Sequence, residues 1–129
     1  MERAVEIFTL IHLLPLGVSH ILKRKAWAEF FILLSEKGKS GVFLHSFLSL
    51  WFGSVVAGFH CVWRGPALVL TLWGWLLIAK ACLGFLFPES ALRSLKRVSL
   101  DMSWRFIPAG VVYLVVAGFT ACSLWQLST

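Results

Sequence analysis

Residues 67–87 read ALVLTLWGWLLIAKACLGFLF, and this stretch decides the class of fold. It has one charged side chain, Lys80, and it matches the length of about 20 apolar residues that a helix needs to cross a bilayer. Three other stretches have the same character, at about 4–22, 41–63 and 106–125. The pattern predicts an all-α integral membrane protein with four transmembrane helices, and residues 1–129 form a single membrane domain.

The overall composition supports this prediction. Hydrophobic side chains make up 59% of the 129 residues and charged ones 14%, whereas soluble domains have about 45–50% apolar and about 25% charged residues. A chain this short cannot bury such an excess in its own interior. These values exclude a soluble cytosolic enzyme, a disulfide-stapled secreted module and a disordered tail. The three cysteines lie in apolar stretches without CxxC spacing, so they predict no zinc or redox motif.

The two long connectors, residues 23–40 and 88–105, are too charged to cross the membrane. Apolar side chains in the first recur at helical spacing: Trp27, Phe30, Phe31 and Leu34. The second starts with Pro88, which suits a first helical turn, and continues with a basic face. An amphipathic helix with cations on its polar face lies in the headgroup plane. We therefore expect two amphipathic surface helices, at about 26–36 and 88–100.

Positive charge predicts the orientation. The net charge of +6 could indicate nucleic acid in a soluble protein, but nine of the 12 lysines and arginines lie in the two connectors. Short loops rich in lysine and arginine face the cytoplasm. We expect cytoplasmic connectors, both termini outside, a multi-pass location in the cell membrane and no nucleic-acid partner. Membrane lipids are the expected partners, and the cations predicted to contact their headgroups are Lys23, Arg24, Lys25, Arg93, Lys96 and Arg97.

The two halves of the chain share one order: span, surface helix, span. A shift of 60 residues places the sequence VVAGF at 55–59 on the same sequence at 115–119. A tandem parallel duplication, with halves 1–64 and 65–129, would explain this order and give a pseudo-two-fold axis along the membrane normal. Chance is the alternative, because apolar helices draw on a small set of residues.

Ionisable side chains inside the spans are the candidate functional residues. Placing such a group mid-helix costs roughly 2.5–3.5 kcal/mol on insertion scales, so it usually has a partner or a task. Lys80 is the clearest case, and it fits an anion, substrate or proton site. The alternative is structural: its long stem reaches toward the headgroups, or it pairs with Glu29 or Glu89. The other candidates are His12, His20, His45 and His60.

Two facing histidines could hold a b-type haem as axial ligands. His12 with His60, or His20 with His45, would be the pair, and His12 and His60 would be the metal ligands of the first arrangement. The second span also carries a stripe of small residues of the kind that packs membrane helices closely. No spacing fits a specific ligand motif, so no cofactor is predicted and haem b stands as an alternative.

Part of the second half resembles a known family. The segments are Gly74-Trp75-Leu76-Leu77, Phe87-Pro88-Glu89, Leu92-Arg93-Ser94-Leu95 and the stretch from Arg105 to Gly118. Residues 74–125 are similar to very short uncharacterised bacterial inner-membrane proteins made of one helical hairpin. The resemblance implies a bacterial inner membrane and gives no chemistry. The first half departs from it, with Ala28-Glu29 in place of Pro-Glu.

Three functions follow as hypotheses. The chain has no GxSxG, no HExxH, no glycine-rich phosphate loop and no paired carboxylates within a span, so we expect a protein that is not an enzyme. The leading hypothesis is a non-catalytic accessory or scaffold subunit of a larger membrane complex, with other subunits or further copies as partners. The alternatives are a b-type haem electron-transfer subunit and a small oligomeric transporter that uses Lys80, His20 and His45.

Overall fold

Helices account for 88% of the chain and no strand is present. The computed structural model describes all residues 1–129, and its elements are α1 (Glu2–Leu22), α2 (Arg24–Glu36), α3 (Lys39–Phe59), α4 (Ala67–Leu86), α5 (Pro88–Lys96), a 3₁₀ segment (Leu100–Arg105) and α6 (Phe106–Ser128). Four of the helices, α1, α3, α4 and α6, are long and apolar enough to cross a membrane. The predicted all-α class with four candidate spans is confirmed at this level.

Two predicted boundaries are wrong. The second span was expected to continue to residue 63, but α3 ends at Phe59 and the backbone of His60 is extended (φ −133°, ψ 90°). Residues 60–66 form the turn to α4. This turn contains Gly65, whose φ of +58° suits glycine. The second surface helix was expected to reach residue 100, but α5 ends at Lys96.

The elements define two ends of the molecule. The connector end holds α2, α5 and the 3₁₀ segment, which contact one another through α2. Lys39, at the start of α3, binds the carboxylate of Glu89 on α5 at 2.7 Å and ties α5 to the bundle. The terminal end holds both chain termini and residues 60–66, because Glu6 near the first terminus binds both His60 and Ser123. Both predicted surface helices therefore lie at the same end.

The long helices pack as two tight pairs, α1 with α6 and α3 with α4. Glycines bring each pair close: a Cβ added at Gly17 would lie 3.1 Å from the carbonyl oxygen of Gly110, and one added at Gly53 would lie 2.8 Å from that of Gly74. Such small residues are typical of membrane helix interfaces. The two pairs meet mainly along α4 and α6, whereas α1 and α3 have few contacts and leave a cleft between them.

A shift of 60 residues aligns the starts of two long helices but not their ends. The fourth apolar helix, counted with the 3₁₀ turn that leads into it, begins at Leu100, and α3 begins at Lys39. Residues 55–59 are the last five of α3, whereas α6 continues beyond residues 115–119 to Ser128. The duplication stays a prediction.

Candidate functional site

A fully buried polar cluster joins all four long helices at the terminal end. The Nε2 atom of His60 lies 3.1 Å from Oε1 of Glu6 on α1, and Ser123 on α6 donates to the same oxygen at 2.7 Å. The Nδ1 atom of His60 lies 3.1 Å from the hydroxyl of Thr71 on α4. Glu6 and His60 are 1% and 0% exposed. Buried ionisable groups normally need partners of this kind.

Thr71 also holds the turn that follows α3. Its hydroxyl donates to the carbonyl oxygen of Val62 at 2.8 Å and accepts the N–H of Val62 at 3.2 Å. The order of hydroxyl, imidazole and carboxylate is the order of a catalytic triad. Here the Thr71 side chain is fully enclosed and its shortest contact is with a backbone carbonyl. The arrangement is suited to anchoring the turn rather than to attacking a substrate.

A second region, the Lys80 cavity, opens between α3, α4 and α5 near the connector end. Its volume is about 710 Å³, within the range of about 300–1,000 Å³ that ligand sites occupy. Lys80 and His45 lie on its wall, and neither has a hydrogen-bond partner in the protein. The remaining lining combines four serine hydroxyls with apolar side chains: Ser46, Ser49, Ser90, Ser94, Val42, Leu76, Leu83, Phe87 and Leu95.

The structure does not place Lys80 in an ion pair. One structural alternative paired it with Glu29 or Glu89, but Glu89 binds Lys39 instead and no salt bridge joins Glu29 to any cation. The hydrogen bond from the Lys39 ammonium holds the pKa of the exposed Glu89 carboxyl below its ordinary value. Lys80 is thus a cation with no protein counter-ion, facing a cavity.

A third region, the aromatic cleft, is the gap between α1 and α3. Its volume is about 640 Å³. His12, His20 and His45 line it together with aromatic side chains: Trp27, Phe30, Phe31, Trp51, Phe52, Trp73 and Tyr113. His20 stacks on Trp27 with ring centroids 4.0 Å apart, and its Nδ1 lies 2.7 Å from the carbonyl oxygen of Leu16. The cleft and the Lys80 cavity share His45, Ser49 and Phe31.

The four histidines therefore divide between two places. His20 and His45, one of the pairs proposed for haem, line the same cleft. His60 lies outside that cleft, and both of its ring nitrogens are engaged by Glu6 and Thr71. His12 lines the cleft with its Nδ1 2.8 Å from the carbonyl oxygen of Phe8. A haem held by His12 and His60 would have to displace the partners of His60.

The predicted headgroup cations are exposed at the connector end. This holds for Lys23, Arg24, Lys25, Arg93, Lys96 and Arg97. The apolar face predicted for α2 turns partly inward, because Leu34 is buried and Trp27 and Phe31 are half-buried, while Phe30 is exposed. The position of the cations is the one that contact with headgroups would require.

The partners of His60 are not evident from the sequence. Neither Glu6 nor Thr71 stands out as a candidate site residue there, and the same is true of Ser123, which binds Glu6. The available signal was the cost of a carboxylate inside a span, which calls for a basic or hydroxyl partner at the same depth. His60 is separated from Glu6 by 54 positions, so spacing along the chain could not reveal the contact.

Comparisons of the chain with protein-family models, with curated proteins and with solved structures give no match. The resemblance of residues 74–125 to hairpin proteins of the bacterial inner membrane therefore stays a prediction. The fold defines the class of protein: an all-helical chain with four helices long and apolar enough to cross a membrane.

Proposed function

We propose that the protein binds a small acidic amphiphile in the Lys80 cavity, as the binding step of a small membrane transporter. The observation that carries this proposal is Lys80 itself, a cation without a protein counter-ion on the wall of a cavity of about 710 Å³. A single charge of this kind at membrane depth costs roughly 2.5–3.5 kcal/mol on insertion scales. A bound anion would offset that cost.

The lining indicates the chemistry of the ligand. One ammonium, with the hydroxyls of Ser46 and Ser49 lining the same cavity, suits one carboxylate or one phosphate monoester better than a polyanion. The apolar wall formed by Leu76, Leu83 and Leu95 suits a hydrocarbon tail. The exposed cations of the connector end would raise the local concentration of such anions.

A binding measurement tests the proposal. A fluorescent fatty acid is titrated into the purified protein in detergent, with Lys80→Met, Lys80→Arg and the exposed Lys25→Met as the matched set. A charge-assisted hydrogen bond is worth about 1.5–3 kcal/mol, so Lys80→Met weakens binding by about 10-fold to 150-fold. Lys80→Arg and Lys25→Met retain most of the affinity. Equal affinity for Lys80→Met and the wild type would remove the site, and unchanged liposome flux in Lys80→Met would remove the transport step.

The proposed orientation places the connector end in the cytoplasm and the termini outside, in a bacterial inner membrane. Its support is the concentration of lysine and arginine in the connectors. Cys61 is an exposed thiol in the turn at the terminal end. A membrane-impermeant maleimide should label Cys61 in spheroplasts with intact inner membranes, whereas a cysteine at Lys25 in a cysteine-free background should stay unlabelled until the cells are broken. The reverse pattern would invert the topology.

We further propose that the units α1–α3 and α4–α6 form a tandem repeat. An axis that exchanges the two units makes α1 correspond to α4 and α6 correspond to α3. The α1–α6 pair then corresponds to the α4–α3 pair, and these are the two tight pairs of the bundle. The contact of Gly17 with Gly110 then corresponds to that of Gly84 with Ser46. The units expressed as separate chains should reassemble into one complex, and two chains that never associate would argue against independent repeat units.

An accessory-subunit role is the second proposal. Gly58 and Gly118 lie on exposed helix faces where an added Cβ meets nothing within 4 Å, unlike the glycines inside the two helix pairs. Small residues on a membrane-facing surface suit close contact with another helix. Gly118→Leu should release a co-purifying subunit or a second copy in mild detergent. Wild-type protein that purifies alone as a monomer would refute this role.

A b-type haem in the aromatic cleft is the third proposal. Its support is the shared position of His20 and His45 on the wall of a cleft of about 640 Å³. Imidazole side chains are common axial ligands of haem iron. A pyridine haemochrome spectrum of the purified protein tests it, and a flat Soret region would remove the haem.

A further inference from the structure

The hydrogen bonds around Thr71 bear on where hydrogens lie on His60. A hydroxyl has one hydrogen to donate and two lone pairs to accept with. The shortest contact of the Thr71 hydroxyl, 2.8 Å, is to the carbonyl oxygen of Val62, and longer contacts reach the carbonyl oxygens of Ala67 and His60. When the hydroxyl donates to one of these carbonyls, Nδ1 of His60, 3.1 Å away, contacts it as a donor and carries a hydrogen.

The second ring nitrogen faces an acceptor as well. Nε2 of His60 lies 3.1 Å from Oε1 of Glu6, which already accepts the hydroxyl of Ser123. A carboxylate oxygen accepts several hydrogen bonds and donates none. When Glu6 is ionised, the contact with Nε2 therefore places a hydrogen on that nitrogen as well. With hydrogens on both nitrogens, His60 is an imidazolium.

We propose that Glu6 and His60 form a buried proton-binding site at the terminal end, and that its proton-loaded form is a carboxylate–imidazolium pair. This site lies outside the Lys80 cavity and shares no residue with it, so it is independent of the proposed anion binding. Buried acidic and histidine side chains mark proton pathways in membrane proteins. Each nitrogen of the imidazolium has one acceptor, and the opposite charge lies beside it.

Release of the proton changes the turn after α3. When His60 gives the Nδ1 proton to water, Nδ1 turns from donor to acceptor, and the hydroxyl of Thr71 must rotate to donate to it. The carbonyl oxygen of Val62 then loses its 2.8 Å hydrogen bond. Proton occupancy is thereby linked to the anchoring of residues 60–66, the turn that begins with His60.

One carboxylate oxygen of Glu6 lacks a hydrogen-bond donor at this site. Oε2 is buried and has no hydrogen-bond partner, and the same is true of the Thr9 hydroxyl three positions later on α1. Residues three apart lie on the same face of a helix. A buried carboxylate oxygen without a donor is costly. The Thr9 hydroxyl is the nearby group that is free to donate a hydrogen bond to it. A charge at Glu6 is therefore held mainly by His60 and Ser123.

The pair has no other ionisable neighbour in contact. Thr9 from α1, Thr71 from α4 and Ser123 from α6 are its neutral polar neighbours. The remaining titratable side chains of the terminal end are exposed and form no bond with the pair: Glu2, Arg3, Cys61, Arg64 and Cys122. A proton taken up here is therefore assigned to Glu6 and His60 alone.

Nitrogen NMR of the wild-type protein tests the proposal directly. The four histidines are labelled with ¹⁵N, and the His60 signals are assigned by their loss in His60→Gln. We expect both ring nitrogens of His60 to carry hydrogen in this spectrum. A neutral His60 ring in the wild-type spectrum at neutral pH would overturn the proposal without any variant having to fold.

Variants then assign the two partners. Thr71→Ser keeps the hydroxyl and should leave the imidazolium signals in place, whereas Thr71→Val removes the acceptor of Nδ1 and should convert the ring to its singly protonated form. Glu6→Gln should do the same, with Glu2→Gln, an exposed carboxylate on the same helix, as the control. An unchanged imidazolium in Glu6→Gln would show that the carboxylate does not hold the proton.

Discussion

The contact between α3 and α4 at Gly53 allows a quantitative test of the helix packing. A methyl group on Gly53 would lie 2.8 Å from the carbonyl oxygen of Gly74 and 3.0 Å from Cγ1 of Ile78. The first of these atoms belongs to the backbone of α4, so it can move only if the helix moves. Gly53→Ala should therefore push α3 and α4 apart.

The expected loss follows from two opposing terms. Inserting a methyl group into a well-packed contact costs about 1–3 kcal/mol. Replacing glycine with alanine within a helix gains up to about 1 kcal/mol from helix propensity in water. Gly118→Ala should gain the same helix propensity but create no steric contact, because a Cβ at this position would meet nothing within 4 Å. The difference between the two variants isolates the contact, and it should be about 1–3 kcal/mol.

Reversible unfolding in mixed micelles of mild detergent and sodium dodecyl sulfate, followed by circular dichroism, measures this difference. Gly110→Ala should behave like Gly53→Ala, since its Cβ would lie 2.7 Å from the carbonyl oxygen of Gly17 across the α1–α6 pair. Equal stability of the alanine variants at Gly53, Gly110 and Gly118 would refute the close packing of both helix pairs.

Three further outcomes are expected at the two ends of the molecule. The bond with Lys39 lowers the pKa of Glu89 in the folded protein, so this bond is fully formed above the unfolded-state pKa of Glu89 and is lost as the pH falls through its folded-state pKa. Acid should therefore increase amide hydrogen exchange in α5. Glu89→Gln should abolish this pH dependence. Because the pair is exposed, global stability should change little. Ser19→Ala removes the acceptor of the Trp27 indole N–H, 3.0 Å away, and should cost about 0.5–1.5 kcal/mol in the unfolding assay. Ser123→Ala removes a donor to a buried carboxylate and should cost about 1.5–3 kcal/mol, whereas the exposed Ser128→Ala should be neutral; equal effects would contradict the buried cluster.

The number of long helices could be predicted because it depends on local composition. A run of about 20 apolar residues must satisfy its backbone hydrogen bonds internally within lipid, and a helix does so without help from distant residues. The end of α3 could not be predicted in this way. Residues 60–63 are as apolar as a helix requires, but His60 leaves the helix to reach Glu6 and Thr71.

The same distinction explains the candidate sites. Lys80 stands out in the sequence because it is a charge within an apolar run, and the structure places it on a cavity wall. The partners of His60 come from α1 and α4, and Glu6 is bound in turn by Ser123 from α6. Which helices pair depends on surfaces that meet only after folding, so periodicity along one segment carries no information about it.

The pairing of α1 with α6 has a consequence for synthesis. The ribosome releases α1 long before α6, and Glu6 meets Ser123 across 117 positions of chain. During that interval α1 lacks the helix with which it packs most closely, and Glu6 lacks the hydroxyl that later binds its carboxylate. If the four long helices enter a membrane one by one, the closest native contacts of the first are made only after the last has entered. A ribosome that stalls before α6 would leave α1 exposed as a ready substrate for membrane proteases.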